Sequence, residues 1–418
     1  MNKATPQPRN ITVLVKPASA ACNLQCSYCF YLETACNRQL ANRGVMGQEV
    51  LEALIATTMD FACGGTVTYL FQGGEPLLAG LDFFKGFVQQ VQKHQKKQLQ
   101  KQAQSQLQPQ IHGQETGKVP SQEAASAPSQ ETDSAPSQAC YMVQTNGTLI
   151  TQEFCQFFAE HNFILGVSLD GPPEIHNQYR KYPAAQDSHQ QVMDAIQLLR
   201  SYKIPFSVLS VVTRAWAGKE VEIYRWFQSH QLNQLQFIYC IPPDASDTTF
   251  CLTNQEYSQL NKTFFQLYWQ DLCQGKEISI RFYDNLLAIL QGMMPEQCGM
   301  MGYCPATITV EADGSLYPCD FYCSDNWYIG NIKEMGLKEL FYHPVMQEFL
   351  ISSQKREDAC TTCPVLGLCR GGCRREREPS LRHEEENPHS LTLHKHCQGR
   401  KDFFTYLLTT VQSGRFEP

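Results

Sequence analysis

Cys22, Cys26 and Cys29 lie at a C-x3-C-x2-C spacing within Cys22-Asn23-Leu24-Gln25-Cys26-Ser27-Tyr28-Cys29-Phe30. On a loop leaving the apolar run Ile11 to Val15, they can aim three thiolates at one point. A structural zinc site, or a [4Fe–4S] cluster held by protein alone, normally uses four cysteines, so a set of three leaves one iron open to another ligand. Cys36 is the nearest further candidate. The segment from Tyr31 to Ala35 carries no tight-turn signal, however, and the aromatic run Tyr28 to Tyr31 suits packing beside a planar ligand. A zinc knuckle is the competing reading.

A second constellation fills the C-terminal third: Cys298-x5-Cys304-x14-Cys319, then Cys360-x2-Cys363-x5-Cys369-x3-Cys373, then Cys397. With Cys323 set aside, these eight make two sets of four. C-x2-C pairs are also common zinc ligands, so two structural zinc sites are the alternative on spacing alone.

Composition narrows the classes. The chain has 418 residues, 19 of them cysteine, and a formal net charge of −7. That length suits two domains. No run reaches the roughly 18 apolar residues of a membrane span, and Met1 to Asn10 lacks a signal region, so a cytoplasmic protein is expected. There, thiols stay reduced and point to metal rather than to disulfides. The acidic balance gives no reason to expect nucleic acid.

The elements that must position these residues alternate. Strands are expected at Ile11–Lys16, Thr66–Gln72, Tyr141–Gln144, Ile164–Leu169, Phe206–Val212 and Leu235–Tyr239. Helical stretches lie between them, near Gln48–Asp60, Asp82–Lys93, Thr151–His161, Gln190–Tyr202 and Lys219–His230. This is an α/β pattern, a partial (β/α)6 barrel. The polar motifs Cys22–Cys29, Gly73-Gly74-Glu75-Pro76, Thr145-Asn146-Gly147 and Ser168-Leu169-Asp170-Gly171 each follow a strand end, where β/α barrels place their chemistry. Residues 94–138, rich in Gln, Ser and Pro with no aromatic residue, read as a disordered insertion. The expected division is a barrel over 1–242, a helical linker over 243–297 and a cysteine-rich domain over 298–418.

The first motif resembles the signature of radical S-adenosylmethionine (SAM) enzymes. The C-terminal block resembles their SPASM extension, which carries two auxiliary [4Fe–4S] clusters. More narrowly, Leu316-Tyr317-Pro318-Cys319-Asp320-Phe321-Tyr322, Phe71-Gln72-Gly73-Gly74-Glu75-Pro76, Gln144-Thr145-Asn146-Gly147-Thr148-Leu149 and Ser168-Leu169-Asp170-Gly171-Pro172 resemble anaerobic sulfatase-maturating enzymes. The resemblance implies three [4Fe–4S] clusters: one on Cys22, Cys26 and Cys29 with SAM, one on Cys298, Cys304, Cys319 and Cys373, and one on Cys360, Cys363, Cys369 and Cys397. It implies that Tyr28 supports the adenine side and that Gly73, Gly74 and Glu75 receive the methionine amino group. Ser168 and Arg180 would hold the ribose and carboxylate end, and Ile241 would flank adenine. Asp320, tethered to Cys319, is the expected general base. The implied reaction oxidises a Cys or Ser of an unfolded or nascent sulfatase polypeptide to Cα-formylglycine, with an electron donor such as flavodoxin or ferredoxin. Two alternatives stay open: a related enzyme that cross-links peptides through thioether or carbon–carbon bonds, and a zinc-binding adaptor. The peptide cross-linkers often carry an N-terminal recognition domain, which the short stretch before Ile11 does not provide.

Overall fold

The computed structural model describes residues 7–31, 38–106, 135–241, 249–378 and 392–412. Six parallel strands stand in sequence order: β1 (Ile11–Val15), β2 (Thr66–Phe71), β3 (Gln138–Thr145), β4 (Ile164–Ser168), β5 (Phe206–Val212) and β6 (Gln234–Tyr239). Six helices lie in the five crossovers between them and one follows β6: α1 (Gln48–Ala62), α2 (Leu81–Gln106), α3 (Gln152–Glu160), α4 (Pro173–Tyr179), α5 (His189–Ser201), α6 (Glu220–Ser229) and α7 (Asn254–Cys273), with α4 and α5 sharing one crossover. Because consecutive neighbours run parallel, every loop after a strand lies on the same rim. The sheet is not closed.

Two expectations about domain organisation change. First, the sheet has ten strands in the order β10-β9-β8-β1-β2-β3-β4-β5-β6-β7. The stretch expected as a purely helical linker contributes β7 (Ser279–Ile280), which pairs with β6 and leads into α8 (Arg281–Leu290). The cysteine-rich part contributes β8 (Ile308–Val310), parallel to β1, then β9 (Ser315–Tyr317) and β10 (Gly330–Asn331) in antiparallel sequence. Barrel and cysteine-rich part therefore share one sheet, and Val13, Val15, Ile308, Val310 and Leu316 belong to one buried core. Strands of two or three residues carry too little periodicity to stand out in a sequence.

Second, the segment expected to be disordered from His94 begins inside α2 and ends inside β3. Phe84, Phe87, Val88 and Val91 bury one face of α2, and Gln and Lys, good helix formers, continue it to Gln106. His94 meets Asp60 at 2.8 Å, Gln95 donates to the Ser137 carbonyl at 2.9 Å, and Ser137 N–H donates to Gln98 at 3.0 Å. Polar composition here marks a solvated helix that clamps the start of the next strand. Residues 107–134 lie outside the described residues, as does Cys36.

We expect deletion of residues 107–134 to leave peptide turnover within a few-fold. Gln106 lies eight residues beyond Gln98, about 12 Å along the helix, so a join of roughly five Gly/Ser residues spans the gap. Loss of activity in a soluble, iron-loaded deletion variant would place the segment in the working fold.

Candidate active site

The rim loops tie the Cys22–Cys29 loop down from several directions. Asn146 donates to Asn23 at 2.9 Å and to Cys22 Sγ at 3.8 Å, and Leu24 N–H also points to Cys22 Sγ at 3.4 Å. Gln25 and Ser27 N–H groups donate to the Lys181 and Tyr179 carbonyls. The three thiols sense one another electrostatically, while burial pushes Cys22 up to about 11 and Cys26 up to about 12. N–H donors to a thiolate sulfur are what a cluster ligand requires, and metal must displace the thiol protons.

Gly73 and Gly74 fit a close backbone approach. A Cβ on Gly74 would meet the Ala21 carbonyl oxygen at 2.1 Å, and Gly73, at φ +138°, would meet Ser19 O at 2.9 Å. Glu75 is fully buried and accepts from Leu77 N (3.0 Å), Thr145 Oγ1 (2.8 Å) and Asn146 N (2.7 Å). Burial pushes it up to about 7 against those bonds. Its carboxylate ties the second and third rim loops together.

Arg180 likewise meets a partner inside the chain. Its Nε and Nη2 engage Asp170 at 2.9 and 3.3 Å, and Asp170 also accepts from Val211 N and the Tyr28 hydroxyl. The guanidinium lies 5.4 Å from the Tyr28 ring centroid. Arg180 thus holds Asp170, which in turn fixes Tyr28 between Cys26 and Cys29. Ser168 is buried and accepts from Gln144 at 3.2 Å. Ile241, expected beside adenine, lines a cavity of about 80 Å³ with Tyr239, Phe282, Phe321 and Cys373.

The eight C-terminal cysteines separate into two groups. The Cys319 thiol senses Cys304, Cys373 and Cys298, whereas Cys397 senses Cys369, Cys360 and Cys363. Burial raises Cys319 and Cys373 well above the ordinary thiol range and Cys304 to about 11. Among the described residues no Cys, His, Asp or Glu side chains close into a single-ion centre. Cys323 is buried beside Lys16 and Asp320, its thiol turned to the Cys319 carbonyl at 3.8 Å.

Asp320 joins the two halves. It is buried, accepting from the Tyr31 hydroxyl and from Gln72 Nε2 at 3.0 Å, while Phe321 packs on Phe30 with centroids 4.5 Å apart. Its Oδ1 is buried without a hydrogen bond among the described residues, 3.8 Å from Lys16 Nζ. Burial raises the Asp320 carboxyl, opposed by Lys16 and the Tyr31 hydroxyl. Lys16 is wholly buried, yet Cys323, Glu311 and Asp320 hold its ammonium above the ordinary range. Glu311, 3.0 Å from Lys16 and 2.6 Å from Arg38, is drawn down to about 2: burial opposes this, and the two cations overcome it. Sequence reasoning missed Lys16, Tyr31, Gln72, Arg38 and Glu311. Lys16, Gln72 and Glu311 were signalled only by standing one residue beyond a strand end, Tyr31 by standing two residues past Cys29, and Arg38 by nothing.

The Radical SAM superfamily model matches residues 17–227, and the SPASM iron-sulfur cluster-binding domain model matches residues 302–364. The cysteine-type anaerobic sulfatase-maturating enzyme of Clostridium perfringens (strain 13 / Type A) is 37% identical over 399 residues, 95% of this chain and 96% of that protein. The chain belongs to the anaerobic sulfatase-maturating enzymes. As a radical SAM and SPASM protein it uses SAM with a [4Fe–4S] cluster, and its C-terminal domain binds iron–sulfur clusters. The serine-type enzyme of Bacteroides thetaiotaomicron is 27% identical, over 96% of this chain and 90% of that protein. The solved structure of native anSMEcpe with bound AdoMet and Cp18Cys peptide superposes with a TM-score of 0.81 at 34% identity, covering 97% of this chain and 98% of that one. Among the described residues no helix is long and apolar enough to cross a membrane.

Proposed function

We propose that this enzyme oxidises a cysteine of a sulfatase polypeptide to Cα-formylglycine, with electrons from a flavodoxin- or ferredoxin-type donor in the cytoplasm. The observation that carries the reading is the seating of the Cys319-Asp320-Phe321 turn on the Cys22–Cys29 loop, which sets a buried carboxylate oxygen at the junction of barrel and cysteine-rich domain. The choice of cysteine over serine rests on the cysteine-type relatives of three clostridial strains, 33% to 37% identical, against 27% for the serine-type ones.

In this reading Cys22, Cys26 and Cys29 hold the SAM-binding cluster. Cys298, Cys304, Cys319 and Cys373 hold one auxiliary cluster, and Cys360, Cys363, Cys369 and Cys397 the other. When bound, SAM and its cluster supply a 5′-deoxyadenosyl radical that removes hydrogen from the target Cβ, and the auxiliary clusters supply one-electron acceptors. The chain does the rest. The Gly73–Gly74 main chain and Ser168 shape the SAM side, and Glu75, Asp170 and Arg180 fix the loops that present Tyr28 and the thiols. Ile241 and Phe321 line the substrate side. Asp320 Oδ1 takes the proton of the target thiol, while Tyr31 and Gln72 hold Oδ2 and so aim the free oxygen. Loss of the hydrogen atom, that proton and one electron leaves a thioaldehyde on the substrate, which water hydrolyses to the aldehyde with release of hydrogen sulfide.

A peptide carrying a C-x-P-x-R motif, incubated anaerobically with loaded enzyme, SAM and reductant, should gain an aldehyde captured by a hydrazide. Its Ser counterpart should react more slowly. Peptide recovered with a thioether or carbon–carbon cross-link and no aldehyde would favour the cross-linking class instead.

A further inference from the structure

Two buried arginines flank the group formed by Cys298, Cys304, Cys319 and Cys373. Arg374 is 1% exposed, and its guanidinium lies 5.3, 4.7 and 4.8 Å from the ring centroids of Tyr322, Trp327 and Phe349. That aromatic cluster packs directly against Cys304 and Cys319. Nε of Arg374 donates to Glu378 at 2.6 Å, and Nη1 donates to Phe349 O at 3.1 Å and Ser352 Oγ at 2.6 Å. Its Nη2 is buried with no acceptor among the described residues. Arg377 is 4% exposed and gives Nη1 and Nη2 to the Lys355 and Ser353 carbonyls at 2.5 and 2.6 Å, and its buried Nε also has no acceptor.

Buried guanidinium N–H groups left without acceptors cost free energy, and a buried cation facing only neutral carbonyls costs more. Something anionic with weak acceptor atoms completes such a site. Burial pushes the Cys304 thiol up to about 11, with Arg374 the largest opposing influence and Arg377 a smaller one. Both cations therefore act on the place where four thiolates and their sulfides would stand. Arg374 is already balanced by Glu378. Arg377 is the charge left over.

We propose that Arg374 Nη2 and Arg377 Nε donate hydrogen bonds to sulfur atoms of the cluster on Cys298, Cys304, Cys319 and Cys373, and that the Arg377 charge raises that cluster's reduction potential. N–H···S bonds and nearby positive charge favour the reduced, more negative cluster, and they are among the protein's means of tuning it. The inference rests on the ligand assignment proposed above. It makes Arg377 a positioning and tuning residue, not a catalytic one.

The test uses the full chain, loaded anaerobically with iron and sulfide, with Cys22, Cys26 and Cys29 replaced by Ala so that only the auxiliary signals remain. Redox titration followed by electron paramagnetic resonance should show the first auxiliary midpoint moving to more negative potential in Arg377→Gln. The second should move less, because the thiols that act on Arg377 are Cys304 and Cys373, both of the first group. Arg377→Lys, which keeps the charge, should recover most of the shift. Iron lost in Arg377→Gln but kept in Arg377→Lys supports the same role for the charge. An unchanged midpoint with full iron in Arg377→Gln overturns the proposal, as does iron loss in both variants, which would make the side chain only a scaffold. If Cys304→Ala loses no iron, the ligand assignment itself has failed, and that result is separate from the others.

Discussion

Replacing Cys22, Cys26 and Cys29 together with Ala is expected to abolish SAM cleavage and lower iron by about one third, from roughly 12 to roughly 8 per chain. The chemistry needs an iron with a free coordination position, and these are the three thiols that the rim loops present together. The loop itself should survive the change. Asn23 stays bonded to Asn146 and Thr148, and the Gln25 and Ser27 amides keep their carbonyl partners, none of which uses a thiol. The two C-terminal groups lie on other elements and should load normally. Anaerobic iron and sulfide analysis, with chromatography of 5′-deoxyadenosine, measures both parts. Iron near one cluster in the parent protein would sink the three-cluster reading, and deoxyadenosine formation by the triple variant would place the SAM-binding iron elsewhere.

Most of the barrel was legible because strands β1 to β6 are five to eight residues long, β-branched or aromatic, and separated by helices with a clear apolar face. The cysteines were legible for a different reason: thiol spacing records metal chemistry directly in the chain. What escaped were features made by contact between distant segments. Lys16 looks like an ordinary charged residue ending a strand, but β8 pairing beside β1 brings Glu311 over it and removes it from water. Arg180 and Glu75 read as ligand-facing because of their motifs. Only the fold reveals that they also bond Asp170, Thr145 and Asn146. The helix past His94 was misjudged on polarity, which says whether a segment is solvated and not whether it is ordered.

Asp320→Asn should lower formylglycine formation by at least about 10²-fold, roughly 2.7 kcal/mol in barrier, while all three clusters load and SAM is still cleaved. The substitution is close to isosteric in a pocket where the side chain is nearly enclosed. The amide oxygen can accept from the Tyr31 hydroxyl and Gln72 Nε2 as the carboxylate Oδ2 does. Lys16 keeps Glu311 at 3.0 Å and so is not left as an unpaired buried charge. The atom that changes character is at the Oδ1 position, which accepts no hydrogen bond in the described structure and is the one placed to take a proton. An amide nitrogen there cannot take it. Hydrogen abstraction and proton removal then separate: deoxyadenosine should accumulate in excess of aldehyde, whereas the parent enzyme couples the two. Quantifying both products in one anaerobic assay gives the ratio. Aldehyde formed at close to the parent rate would assign Asp320 to holding Tyr31 and Gln72 in place, and loss of SAM cleavage together with aldehyde would move its role earlier, to seating the substrate.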